Sequence, residues 1–168
     1  KLAAVGTNTA ALAFGGSPAL AVTETWNGTN WTEVNDLNTA RKNLAGAGTN
    51  TAALAFGGRD VSNPTAVTEL WNGTNWTEVN DLNRETGYLA GAGTTTSALA
   101  FGGFNTPNTN SWNGTNWTAI SDMNVPRYNL AGCGVSNTSA LAFGGASPPT
   151  TATEEWNVGP ATVTFDNS

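Results

Sequence analysis

Bulky and small residues alternate with a period of two in four short runs of the chain. In residues 53–56, Leu54 and Phe56 fall on one face and Ala53 and Ala55 on the other. Leu12/Phe14, Leu99/Phe101 and Leu141/Phe143 repeat the arrangement. A two-residue period predicts β-strands, because successive side chains on a strand point to opposite faces. Helical periodicity does not extend beyond a turn anywhere in the chain. Around the best-preserved run the pattern predicts four strands: a at 44–48, b at 52–57, c at 67–71 and d at 76–80. Between c and d stands Asn72-Gly73, a dipeptide that favours tight hairpins because both residues tolerate positive φ.

The unit recurs. A Gly-Gly pair closes strand b at Gly16, Gly58, Gly103 and Gly145, at offsets of 42, 45 and 42 residues. Trp-Asn-Gly-Thr-Asn-Trp begins at Trp26, Trp71 and Trp112, and a decayed copy begins at Trp156. A period in the low forties with paired Gly and Trp points to propeller blades. The expected fold is all-β: a four-bladed β-propeller occupying residues 1–168 as one domain. Its blades span about 1–38, 39–83, 84–124 and 125–168, each a four-stranded antiparallel sheet. The fourth strand d, expected at 161–166, is atypical, with Ala161 in place of Trp, as terminal units of repeat proteins often are.

Blades buried on both faces would pack the Leu/Phe face of one sheet on the Ala face of the next. The expected core is Phe14, Trp26, Phe56, Trp71, Phe101, Trp112, Phe143 and Trp156. Cys133, in Gly-Cys-Gly, is expected to be a small buried residue. Because the units begin at strand a and end at strand d, no blade needs to be shared between the ends. A closed four-bladed monomer is the favoured arrangement, and two chains forming one eight-bladed ring is the rival.

Six Lys and Arg against twelve Asp and Glu give a net charge of −6, which repels phosphate backbones and argues against nucleic-acid binding. The chain has no histidine, so no Ser/His/Asp or Cys/His arrangement can form, and a common metal ligand is missing. No acidic spacing fits a calcium loop, no apolar run is long enough for a membrane-spanning helix, and the Gly-x-Gly of strand a lacks the helix and basic residue of a phosphate loop. No catalytic residue, metal, cofactor or membrane role is expected, and the chain does not read as an enzyme.

A strand ending in Gly-Gly, an aromatic pair around an Asn-Gly turn, and an Arg before the next unit resemble the kelch repeat. Arg41 and Arg127 take the kelch-like Arg position, five residues after Asp36 and Asp122; the intervening unit departs, with Thr86 there and Arg84 nearby. The aromatic pair is also closer together than in kelch repeats, and four units are fewer than kelch propellers commonly have. The wording of the repeat, Trp-Asn-Gly-Thr-Asn-Trp-Thr-Glu-Val-Asn-Asp-Leu-Asn, is similar to repeat arrays of marine bacteriophage virion and tail-associated proteins. The resemblance implies a virion or extracellular setting.

Variation concentrates in the b–c loops, at 17–20, 59–65, 104–108 and 146–151. From the second Gly to the following Trp the unit runs 10, 13, 9 and 11 residues. In a propeller these loops share one face with the d–a connections, and loops on a rigid scaffold are where recognition concentrates. Candidate contacts there are Arg59, Asp60, Arg84, Tyr88, Phe104, Asn105 and Tyr128. The expected function is a non-catalytic structural or adhesion module that binds a glycan or protein on a cell surface or virion. The alternatives are a kelch-like protein-interaction module of a cellular protein and an engineered consensus array.

Overall fold

The computed structural model describes residues 1–146, 151–159 and 162–167, and these contain sixteen strands and no helix. The first sheet is β1 (Ala3–Gly6), β2 (Ala11–Phe14), β3 (Thr23–Trp26) and β4 (Trp31–Val34). The second is β5 (Ala45–Gly48), β6 (Ala53–Phe56), β7 (Thr68–Trp71) and β8 (Trp76–Val79). The third is β9 (Ala90–Gly93), β10 (Ala98–Phe101), β11 (Thr109–Trp112) and β12 (Trp117–Ile120), and the fourth is β13 (Ala131–Ser136), β14 (Ser139–Phe143), β15 (Thr153–Gly159) and β16 (Thr162–Asn167). Each sheet is antiparallel with its strands in chain order, and the four are arranged as the blades of a β-propeller. The first strands of successive blades pack on one another, β1 on β5, β5 on β9 and β9 on β13, which makes them the inner strands. The fourth strand d starts at Thr162; the expected start at Ala161 lies outside the described residues, as do 147–150 of the last b–c loop.

Local chemistry holds each blade. At the β7–β8 turn the Asn72 side-chain oxygen accepts from the backbone N–H groups of Thr74 and Asn75, and Gly73 sits at φ 93°. Asp81, beyond β8, accepts from the Thr68 N–H and so ties the end of strand d to the start of strand c. The one-residue insertion near 135–137 is absorbed as a bulge between Gly134 and Ser136.

Between blades, the two-faced pattern works as the alternation predicts. Leu12 and Phe14 pack with Ala53, Ala55, Trp71 and Trp76 of the next blade. Leu54 and Phe56 pack with Ala98, Ala100, Trp112 and Trp117, and Leu99 and Phe101 with Ala140, Ala142 and Trp156. Phe14 meets Trp76 edge to face at 5.0 Å, and Phe56 meets Trp117 at 4.9 Å. The Trp76 and Trp117 indoles donate back across the same joints to Thr23 and Thr68.

The fourth joint differs. β1 and β13 do not pack together as the other inner neighbours do. Phe143, expected in the core, is 39% exposed, and Cys133 is also exposed rather than buried. Trp31, on the facing side of blade 1, is 48% exposed, and Trp26 is only half-buried. The seat for the ring also differs at this joint. The other joints seat a Phe ring on a glycine of the next inner strand: Phe14 on Gly46, Phe56 on Gly91 and Phe101 on Gly132. A Cβ at those glycines would come within 2.3–2.6 Å of the ring's ζ carbon. By strand register, the equivalent residue of blade 1 is Ala4, which is exposed and carries a methyl group where the other blades have glycine.

Candidate functional site

The loops at one end of the propeller are joined into a collar. Each b–c loop bridges to a d–a connection: Leu20 to Arg41, Lys42 to Arg59, and Tyr128 to Ala146. The Phe104 N–H donates to the Gly87 carbonyl in the third blade. A second chain of backbone bonds runs from blade to blade through one position of the repeat. Asn43 N–H donates to Lys1 O, Tyr88 N–H to Asn43 O, and Asn129 N–H to Tyr88 O, each at 2.9 Å. Asn43, Tyr88 and Asn129 all adopt left-handed backbone, at φ 55°, 67° and 55°. Each directly precedes a leucine, Leu44, Leu89 or Leu130, that lines the central channel of about 210 Å³. The collar therefore borders the mouth of the channel across the three packed joints, from Lys1 to Asn129.

Under the collar sit two buried ion pairs. Arg41 Nη2 lies 3.0 Å from Glu69 Oε1, and Arg127 Nη2 lies 2.5 Å from Glu154 Oε1, with all four side chains at 0–1% exposure. Arg41 also donates to the carbonyls of Gly57 and Val67, and Arg127 to those of Gly144 and Ala152. Burial pulls Arg41 below the usual arginine pKa while Glu69 pulls it back up. The carboxylate of Glu69 also accepts from Asn38, which belongs to the connection out of blade 1. These pairs fasten the d–a connections to strand c.

Of the seven loop-face candidates, three converge. Tyr88, Phe104 and Tyr128 form a triangle with ring-centre separations of 6.1, 6.1 and 5.4 Å. Phe104 is 57% exposed, and the two tyrosines are half-buried beside it. Asn105, at φ 57° and exposed, follows Phe104 at the rim. Arg59 borders the group through Gly87, where an added Cβ would lie 2.8 Å from Arg59 Cγ. Asp60 is occupied by its own loop: its carboxylate accepts from the N–H groups of Ser62 and Asn63, and these bonds hold its pKa below the usual carboxylate value. Arg84 is exposed and lies beside Thr86 rather than in the kelch-like Arg position.

Tyr88 is the unusual member. A bulky side chain in left-handed backbone is an outlier, where Asn is the ordinary choice and is what the second and fourth blades use. The geometry offers aromatic faces beside amide groups on a cross-linked support. Among the described residues, no cluster of three or more His, Cys, Asp and Glu could hold a metal ion. The left-handed position and the buried pairs were not among the sequence candidates. The signal for the pairs was available: Glu69 and Glu154 each stand two residues before the strand-c Trp, and where Thr86 replaces Arg, Asn110 replaces Glu.

Compared with models of protein families the chain matches none, and a search of curated proteins finds no sequence match.

Proposed function

We propose that this chain is a non-catalytic adhesion module, associated with a phage virion or tail, that binds a cell-surface glycan through the collar around Tyr88, Phe104 and Tyr128. The observation that carries the reading is this aromatic triangle, partly open to solvent and mounted on hydrogen-bonded loops at the channel mouth. Aromatic faces stack on the apolar faces of sugar rings, and the Asn105 amide and the two phenol hydroxyls supply hydrogen bonds at the edges. The cost of holding Tyr88 in left-handed backbone, about 1–3 kcal/mol, is of the kind that concentrates at ligand sites. The phage-like wording of the repeats and the Asn/Thr-rich, weakly charged surface fit a display scaffold outside the cell. One such site binds weakly, so useful adhesion comes from many copies.

The test is a glycan array probed with the chain displayed as a tetramer. Tyr88→Asn, which restores the residue used at that position by two other blades, and Phe104→Ser should abolish retention while leaving the melting temperature unchanged or higher. If the tetramer is retained on no glycan, or equally with both variants, the reading is wrong.

A further inference from the structure

The acceptors that hold an arginine in the second and fourth blades are also built into the first. In blade 2, Arg41 donates to Gly57 O at 2.8 Å, Val67 O at 2.6 Å, Ala55 O at 3.5 Å and Glu69 Oε1 at 3.0 Å. By strand register the equivalents in blade 1 are Gly15, Val22, Ala13 and Glu24. The framework around them is the same: Gly15 N–H donates to Val22 O at 3.0 Å, as Gly57 N–H does to Val67 O at 3.0 Å. Together Ala13, Gly15, Val22 and Glu24 line a solvent-open cleft of about 510 Å³, which Leu20 and Lys1 flank. Glu24 is exposed, whereas Glu69 and Glu154 are buried, and among the described residues it makes no ion pair.

We propose that this cleft is a guanidinium-binding site that takes an arginine side chain. Three carbonyl oxygens and one carboxylate occupy the register positions that surround Arg41 in blade 2 and line one cleft, and a planar five-donor fork is the group that engages such a set. An ammonium is a compact point charge and cannot reach carbonyls and carboxylate together. The blade without this chemistry is the third, where Thr86 and Asn110 replace the pair; the first retains its carboxylate. An arginine can arrive from two sources with the same chemistry: a residue joined to this chain two positions before Lys1, where Arg41 stands relative to Asn43, or a side chain of another molecule.

Two titrations on the full chain, followed by amide NMR, separate the sources and test the site. In the first, N-acetyl-arginine methylamide is added, with N-acetyl-lysine methylamide as control. In the second, Arg-Lys is placed before Lys1, with Lys-Lys as control. The proposal predicts that at least one arginine arm shifts the amides of Gly15, Val22 and Glu24 while its lysine control does not, and that Glu24→Gln removes the shift. A saturable response to the free compound assigns the site to an external arginine. A response from the extension alone assigns it to the attached one. No arginine-selective shift in either arm, or a shift that survives Glu24→Gln, overturns the proposal. Glu24 lies on a half-exposed strand in the chain's own first blade, so the variant is expected to fold, and its unshifted amides elsewhere check this.

Discussion

Arg41 and Glu69 form a fully buried ion pair 3.0 Å apart, and the next blade carries Thr86 and Asn110 at the same two positions. Thr86 and Asn110 line one small cavity, and Asn110 accepts instead from the Asn83 side chain. Both members of the pair are replaced together in that blade. Breaking a buried pair leaves an uncompensated charge, at about 3–5 kcal/mol, while replacing both partners can be nearly neutral. Arg41→Thr should therefore destabilise the chain by about that amount, and Arg41→Thr combined with Glu69→Asn should recover most of it. Urea denaturation of the two singles and the double checks this; additive losses would contradict it.

The joint between blades predicts a contrast between two phenylalanines of equal standing in the repeat. Phe56 is fully buried against Trp117, and Phe143 is 39% exposed. Phe56→Ala should cost about 3–5 kcal/mol, as buried aromatic truncations do. Phe143→Ala should cost well under half of that. Equal losses would mean that the fourth joint is packed in solution like the others.

The glycine seat under each ring can be tested at Gly91. A methyl group there would lie 2.4 Å from the ζ carbon of Phe56 and 2.9 Å from the Gly46 carbonyl oxygen. Gly91→Ala should destabilise by about 1–3 kcal/mol through overpacking. Ala4→Gly, at the equivalent position of the first blade, should cost no more than about 1 kcal/mol from backbone entropy. Thermal melts of the two variants give the comparison, and a larger loss at Ala4 would contradict the packing account.

Asp60 gives a pH dependence of defined sign. Its pKa is lowered in the fold, first by the Asn63 and Ser62 N–H groups. A depressed carboxylate pKa contributes stability that is present above the unfolded value, about 3.9, and is lost as pH falls through the folded value. Hydrogen exchange at Ser62 and Asn63 should thus stay slow as pH drops through the ordinary carboxylate range and accelerate, relative to neighbouring loops, only below it. Asp60→Asn should remove the acid transition.

Much of this architecture is written in local pattern. The Leu/Phe and Ala faces of the b strands, the Asn-Gly turns and the spacing of Gly-Gly and Trp define strands, hairpins and blade count, because each acts within one unit. The bulge at Gly134 and Ser136 is a one-residue difference in spacing between units. The exposure of Phe143 and Cys133 was not readable that way. It depends on what faces them across the joint between the first and last blades, where β1 and β13 do not pack together. The loop-face residues were recognisable as variable, but not which of them meet. Tyr88 and Tyr128 come from different connections and approach Phe104 only because the collar bonds fix all three. Arg59 and Asp60, charged and therefore conspicuous, are instead engaged in their own loop, Arg59 with the Ser62 carbonyl and Asp60 with two N–H groups.

The claim that the aromatic collar is the recognition surface is tested most directly by amide shift mapping of the intact chain with the glycan that the array retains best. The account predicts shifts confined to residues 87–89, 104–105 and 127–129, with saturation lost in Tyr88→Asn. Shifts centred instead on the exposed blade faces at Trp31 and Phe143, or on the Asn-Gly hairpins at the opposite end of the strands, would contradict it.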